Sequence, residues 1–76
     1  KKTHVLILIN DNHNTFDYVI HLLMVVCGHT KTQATQCANI VHTKGKCEIK
    51  YGDYEHLNEL RRELVERGLR AKVETT

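Results

Sequence analysis

Three times in this chain an apolar run at helical spacing stops at a glycine, and that punctuation leaves few folds open. Phe16, Val19, Ile20, Leu23 and Cys27 recur three or four residues apart, then Gly28 follows. This is the apolar stripe of an amphipathic helix ending in a residue suited to the left-handed terminus. Ala34, Cys37, Ala38 and Val41 repeat the pattern before Gly45, and Tyr54, Leu57, Leu60 and Leu64 repeat it before Gly68. Starting signals match. Asn14 is placed to cap the first helix, with Asp17 favouring its positive end. Thr30 and Gln33 have capping-box spacing for the second, and Gly52-Asp53 reads as a turn and cap for the third. Within the third helix Glu59 and Glu63 repel, while Glu63 and Arg67 attract weakly.

Between these helices the period drops to two. Thr3 to Ile9 is an apolar run ending in the polar cluster Asn10 to Asn14, as a buried strand followed by a turn would be. Lys46 to Tyr51 puts Cys47, Ile49 and Tyr51 on one side and Lys46, Glu48 and Lys50 on the other, a half-exposed strand. Leu69, Ala71 and Val73 alternate with charge as a last strand. The predicted order is β-α-α-β-α-β. A chain of 76 residues has room for one core. Residues 1–76 are therefore expected to form a single α+β domain: a short, mainly antiparallel three-stranded sheet with three helices packed on one face.

Composition excludes several classes of function. The net charge of +2 is too small to imply nucleic acid. The basic groupings, Lys1-Lys2 and Lys44/Lys46/Lys50, lack interleaved aromatics and read as solvated faces. No apolar run is long enough to span a membrane. Cys27, Cys37 and Cys47 are odd in number and lack C-x-x-C spacing, which predicts free thiols and a reducing, intracellular setting. An enzyme reading fares badly. The chain has no serine, no Gly-rich phosphate loop and no cysteine beside a histidine. His4, His13, His21, His29 and His56 lack metal-ligand spacing as a set, so neither a metal nor a cofactor is expected.

Two short motifs carry the functional signal. Ile9-Asn10-Asp11-Asn12-His13-Asn14-Thr15-Phe16 and Ile40-Val41-His42-Thr43-Lys44-Gly45-Lys46 each set polar side chains against an apolar run. Pockets are built this way, with apolar walls for affinity and a few polar groups for orientation. If the second helix packs by the first strand's end, Asn10, Asp11, Asn12 and His42 can converge on a small cation such as a peptide α-amino group. Phe16, Val19, Val41 and Leu69 can then line an adjoining cavity for the first side chain. Burying a Leu or Phe side chain is worth roughly 1.5–3 kcal/mol, and each hydrogen bond to a charged group roughly 1.5–3 kcal/mol. After association costs, affinity of micromolar order is expected. Bland readings stand beside this one. Asn10 to Asn12 is also what an ordinary turn contains, and His42 is also a residue favoured at a helix C-terminus.

The N-D-x-x-x-T-F and V-H-x-x-G-K patterns, with Phe16 through Leu23 and Ala34-Thr35-Gln36, resemble the ClpS adaptor family over nearly the whole chain. The resemblance implies a cytoplasmic, monomeric, non-enzymatic adaptor. Such a protein binds the N-terminal residue of N-degron substrates (Leu, Phe, Tyr or Trp) and passes them to a ClpA- or ClpC-type AAA+ unfoldase with ClpP. The family's amino-group ligands fall on Asn10, on Asn12 where an acidic residue is usual, and on His42, with Asp11 alongside as a source of charge. Its pocket positions fall on Asn14, Phe16, Val19, Ala38, Val41 and Leu69. A Met is usual where Ala38 stands, and Phe16 replaces another. Glu55 aligns with an acidic residue that touches the unfoldase. The family's N-terminal extension is expected to be absent or removed. Leu57 to Glu74 also resembles the C-terminal interaction domain of the ribosomal stalk protein, which lacks the Asn10/His42 pairing.

Overall fold

Val5, Leu6, Ile7 and Leu8 are all buried, because the strand carrying them is the middle one. A computed structural model describes residues 3–76; the Lys1-Lys2 grouping lies outside the described residues. The elements are β1 (His4–Ile9), α1 (Phe16–Cys27), α2 (Lys31–Lys44), β2 (Lys46–Gly52), α3 (Tyr54–Glu66) and β3 (Arg70–Thr75). The sheet order is β2-β1-β3, antiparallel on both sides of β1. The β-α-α-β-α-β order and three-stranded sheet are those expected.

Leu6 and Leu8 point toward the helices and join Leu22, Leu23, Leu57, Leu64 and the three cysteines in one core. By strand alternation Val5 and Ile7 face the other way. There Tyr51 and Glu74 flank Val5, and Glu48 and Lys72 flank Ile7. The stems of these long side chains cover the apolar strand while their polar ends stay wet. Cys27, Cys37 and Cys47 are free and buried, as small core hydrophobes. Burial pushes the Cys27 thiol up to about 11. Cys37 is pushed up further in direction by burial and by the adjoining Cys47 thiol.

Three local readings are corrected by packing. The N-cap of α1 is Thr15, whose side chain accepts from the Tyr18 N–H, and not Asn14. The buried residues of α1 are Leu22, Leu23 and Cys27, whereas Phe16 is 39% exposed. Phe16 and Val19 line the pocket instead, so the stripe turns from core to pocket wall along its length. Finally, the pairing shifts between Leu6 and Ile7. Ile49 is the extra residue of a bulge, and a one-residue slip moves every later side chain to the opposite face. Tyr51 therefore leaves the side of Cys47 and Ile49. It lies on the open face, 44% exposed, with its hydroxyl donating to Glu48 Oε1 at 2.6 Å.

Candidate functional site

One backbone hydrogen bond brings the two sequence motifs together. Gly45 ends α2 in the left-handed region (φ 91°), its N–H returning to the Val41 carbonyl. A residue with a Cβ would be strained there. The turn aims the Gly45 carbonyl at the end of β1, where it accepts the Asn10 N–H at 2.9 Å. The strand end and the last turn of α2 are thereby held side by side, with His42 facing the Asn10–Asn12 loop.

The result is a concave pocket of about 260 Å³. All ten residues expected at the ligand site line it: Asn10, Asp11, Asn12 and His42, with Asn14, Phe16, Val19, Ala38, Val41 and Leu69. Leu8 and Ile9 line it too, although neither was named among the expected pocket residues. Their place at the end of a strand running into the polar motif was the available signal. Glu55 lies elsewhere, exposed on the first turn of α3. That turn follows Gly52, which pairs with His4 at the opposite end of β1. Six residues of strand, roughly 17–20 Å, therefore separate Glu55 from the pocket.

The loop's polar residues divide their work. Asp11 Oδ1 accepts the N–H groups of His13 (2.9 Å) and Asn14 (3.0 Å). Asn14 Nδ2 donates to both Asp11 oxygens at 3.0 Å and to the Gly68 carbonyl at 2.9 Å. Partial burial works to raise the Asp11 pKa. The His13 N–H, the Asn14 side chain and N–H, and the His13 charge outweigh it and hold the carboxyl below its ordinary value. The Tyr18 hydroxyl donates to the Arg67 carbonyl at 2.6 Å and ties the first turn of α1 to the α3–β3 turn. Asp11 is thus the knot of the loop, with its carboxylate already occupied by loop donors.

By contrast, the side chains of Asn10, Asn12 and His42 make no hydrogen bond among the described residues. Their acceptors face a half-open cavity. The His42 ring packs edge-on against Phe16, centroids 5.5 Å apart and planes at 78°, an arrangement favoured by aromatic quadrupoles. Buried Ala38, Val41 and Leu69 supply apolar walls. One end of the pocket therefore offers hydrogen-bond acceptors and the other offers apolar surface. Among the described residues no cluster of His, Cys, Asp and Glu is arranged to hold a metal ion. No helix among them is long and apolar enough to cross a membrane.

Known proteins share this sequence pattern and architecture. Residues 1–72 match the family described as ATP-dependent Clp protease adaptor protein ClpS. The ATP-dependent Clp protease adapter protein ClpS of Acetivibrio thermocellus is 40% identical over 54 residues, covering 71% of this chain and 54% of that protein. The chain thus spans about half the length of this curated relative. The structure of Agrobacterium tumefaciens ClpS2 bound to L-phenylalaninamide superposes with a TM-score of 0.94. It covers 99% of this chain and 98% of that one at 16% identity, a likeness of fold.

Proposed function

This chain belongs to the ClpS family of ATP-dependent Clp protease adaptor proteins, and on that premise we propose that it is a non-enzymatic adaptor for free peptide N-termini. It binds a bulky first residue (Leu, Phe, Tyr or Trp) and delivers the protein bearing it to a ClpA- or ClpC-type AAA+ unfoldase with ClpP. It does so as a cytoplasmic monomer forming one domain, with Glu55 on the unfoldase-facing surface.

The observation that carries this reading is the convergence of unengaged acceptors and apolar walls in one pocket. An α-ammonium group has three donors, and Asn10, Asn12 and His42 offer three side chains able to accept them. His42 accepts only through a neutral ring nitrogen, and its edge contact with Phe16 orients the ring. Phe16, Val19, Ala38, Val41 and Leu69 enclose the first side chain. The ligand of the A. tumefaciens ClpS2 structure, L-phenylalaninamide, combines a free α-amine with a bulky ring and so has the chemistry of both ends. No observation specifically favours the stalk-like alternative, and the family match extends over most of the segment on which it rested.

Fluorescence anisotropy with labelled peptides differing only in their first residue tests this. Free Leu, Phe, Tyr and Trp N-termini are expected to bind, and Ala and Glu N-termini to bind far more weakly. N-acetylation or the His42→Ala substitution should each reduce affinity by about ten- to a hundredfold, the loss of a hydrogen bond to a charged group. Equal binding of acetylated and free peptides by folded protein overturns the proposal.

A further inference from the structure

One polar side chain in the pocket has no part in holding the amine, and we propose that it sorts the side chains that enter. Asn14 Oδ1 accepts a hydrogen bond from the ring donor of an N-terminal Tyr or Trp, so that these two residues are preferred over Phe and Leu. This rests on the N-terminal-residue reading above.

The orientation of the Asn14 amide is dictated by its surroundings. Its nitrogen faces three acceptors: both Asp11 carboxylate oxygens at 3.0 Å and the Gly68 carbonyl at 2.9 Å. A flipped amide would set oxygen against those same oxygens, so Oδ1 must point away from them. That oxygen has no protein partner among the described residues, and it is not among the buried atoms left unpaired. Water therefore reaches it in the free protein. It lies 3.9 Å from the position a Cβ on Gly68 would take, and Asn14 and Leu69, the residue after Gly68, both line the pocket.

The remaining walls assigned to the first side chain are Phe16, Val19, Ala38, Val41 and Leu69, none with a side chain able to accept a strong hydrogen bond. A Leu or Phe side chain displaces the water on Oδ1 and returns nothing. A Tyr O–H or Trp Nε1–H replaces it. The complement must be a donor, because both Asn14 N–H groups are already engaged by Asp11 and Gly68. Those same bonds fix the acceptor before ligand arrives, so little side-chain entropy is lost on binding. The discrimination expected from one such hydrogen bond is about two- to tenfold.

The test compares pairs of peptides of nearly equal size on the wild-type protein. N-terminal Tyr is set against 4-methylphenylalanine, and N-terminal Trp against 1-methyltryptophan, with Phe and acetylated Phe as references. Tyr and Trp should each bind about two- to tenfold more tightly than the methylated partner. In Asn14→Ala both ratios should fall to about one; ratios cancel any common loss from a looser loop. Should that variant fail to fold, the wild-type pairs decide alone. Equal or inverted affinities within the pairs, with free Phe still binding and acetylated Phe not, overturn the Asn14 assignment and leave the adaptor reading intact. Ratios that persist in folded Asn14→Ala also overturn it. Failure of every peptide to bind folded protein overturns both.

Discussion

Two connections made of similar residues end differently in this molecule. The α1–α2 junction, Gly28-His29-Thr30, turns nearly all of its hydrogen bonding inward. The Gly28 and His29 N–H groups both reach the Leu23 carbonyl. Thr30 Oγ1 accepts the Gln33 N–H at 3.1 Å, and Gln33 Oε1 accepts the Thr30 N–H at 3.0 Å. Only the His29 Nδ1 is buried without a partner among the described residues. The β1–α1 loop, Asn10 to Thr15, is equally polar but divides its residues. Asp11, Asn14 and Thr15 bind the loop together, while the side chains of Asn10 and Asn12 are left without protein partners. A polar connection becomes a candidate site when some of its side chains hold the rest in place without engaging them.

The largest effect should come from removing the knot of the recognition loop. Asp11→Ala deletes the acceptor for His13 and Asn14 and is expected to cost about 1–3 kcal/mol of stability as well as peptide binding, read by urea denaturation and anisotropy together. The knot has a pH signature. Its carboxyl has a lowered pKa in the folded protein, so the unfolded chain takes up the proton more readily. The stabilisation is fully present above the unfolded value, near 3.8, and is lost as pH falls through the lower folded value. Asp11→Asn should remove that part of the acid dependence. Unchanged acid unfolding would mean that the loop is held by other contacts.

A smaller and purely structural effect is expected at the other connection. Thr30→Ala breaks the capping box and should lower stability by about 0.5–2 kcal/mol. Peptide affinity per folded molecule should stay within about twofold, since changes at distant sites add independently. A parallel loss of binding would erase the distinction between the two connections. Smallest of all is Asn12→Asp. It supplies a carboxylate where an unengaged amide now stands, and should strengthen binding of a free N-terminus by a few-fold, about 0.2–1 kcal/mol for an exposed charge pair. Stability should shift by no more than about 0.5 kcal/mol. Unchanged or weaker binding would show that countercharge is not what the site lacks.

Much of the architecture was legible because helix and strand periodicities record which face is buried. Ala34, Cys37, Ala38 and Val41 were read as one inward face, and all four are buried. The Thr30–Gln33 capping box formed as spaced. The polar pocket residues were legible in two motifs, since polar clusters abutting apolar runs are visible in one dimension. Asp11 has a second role that was not read: its carboxylate accepts the N–H groups two and three residues ahead. An acidic residue in a loop carries no mark in the sequence saying which donors will reach it first.

Local spacing determined the number, order and limits of the elements and the residues that cap two of the helices, because those preferences act within a few residues along the chain. Tertiary packing decided the remainder. The bulge at Ile49 moved Tyr51 to the other face, and Phe16 was left half-exposed on the pocket wall. Asn14 gave up the cap to Thr15 and reached Gly68, 54 residues away, instead. Each outcome turns on which groups arrive within about 3 Å of one another. That distance is set by how helices and strands pack, not by their separation in sequence.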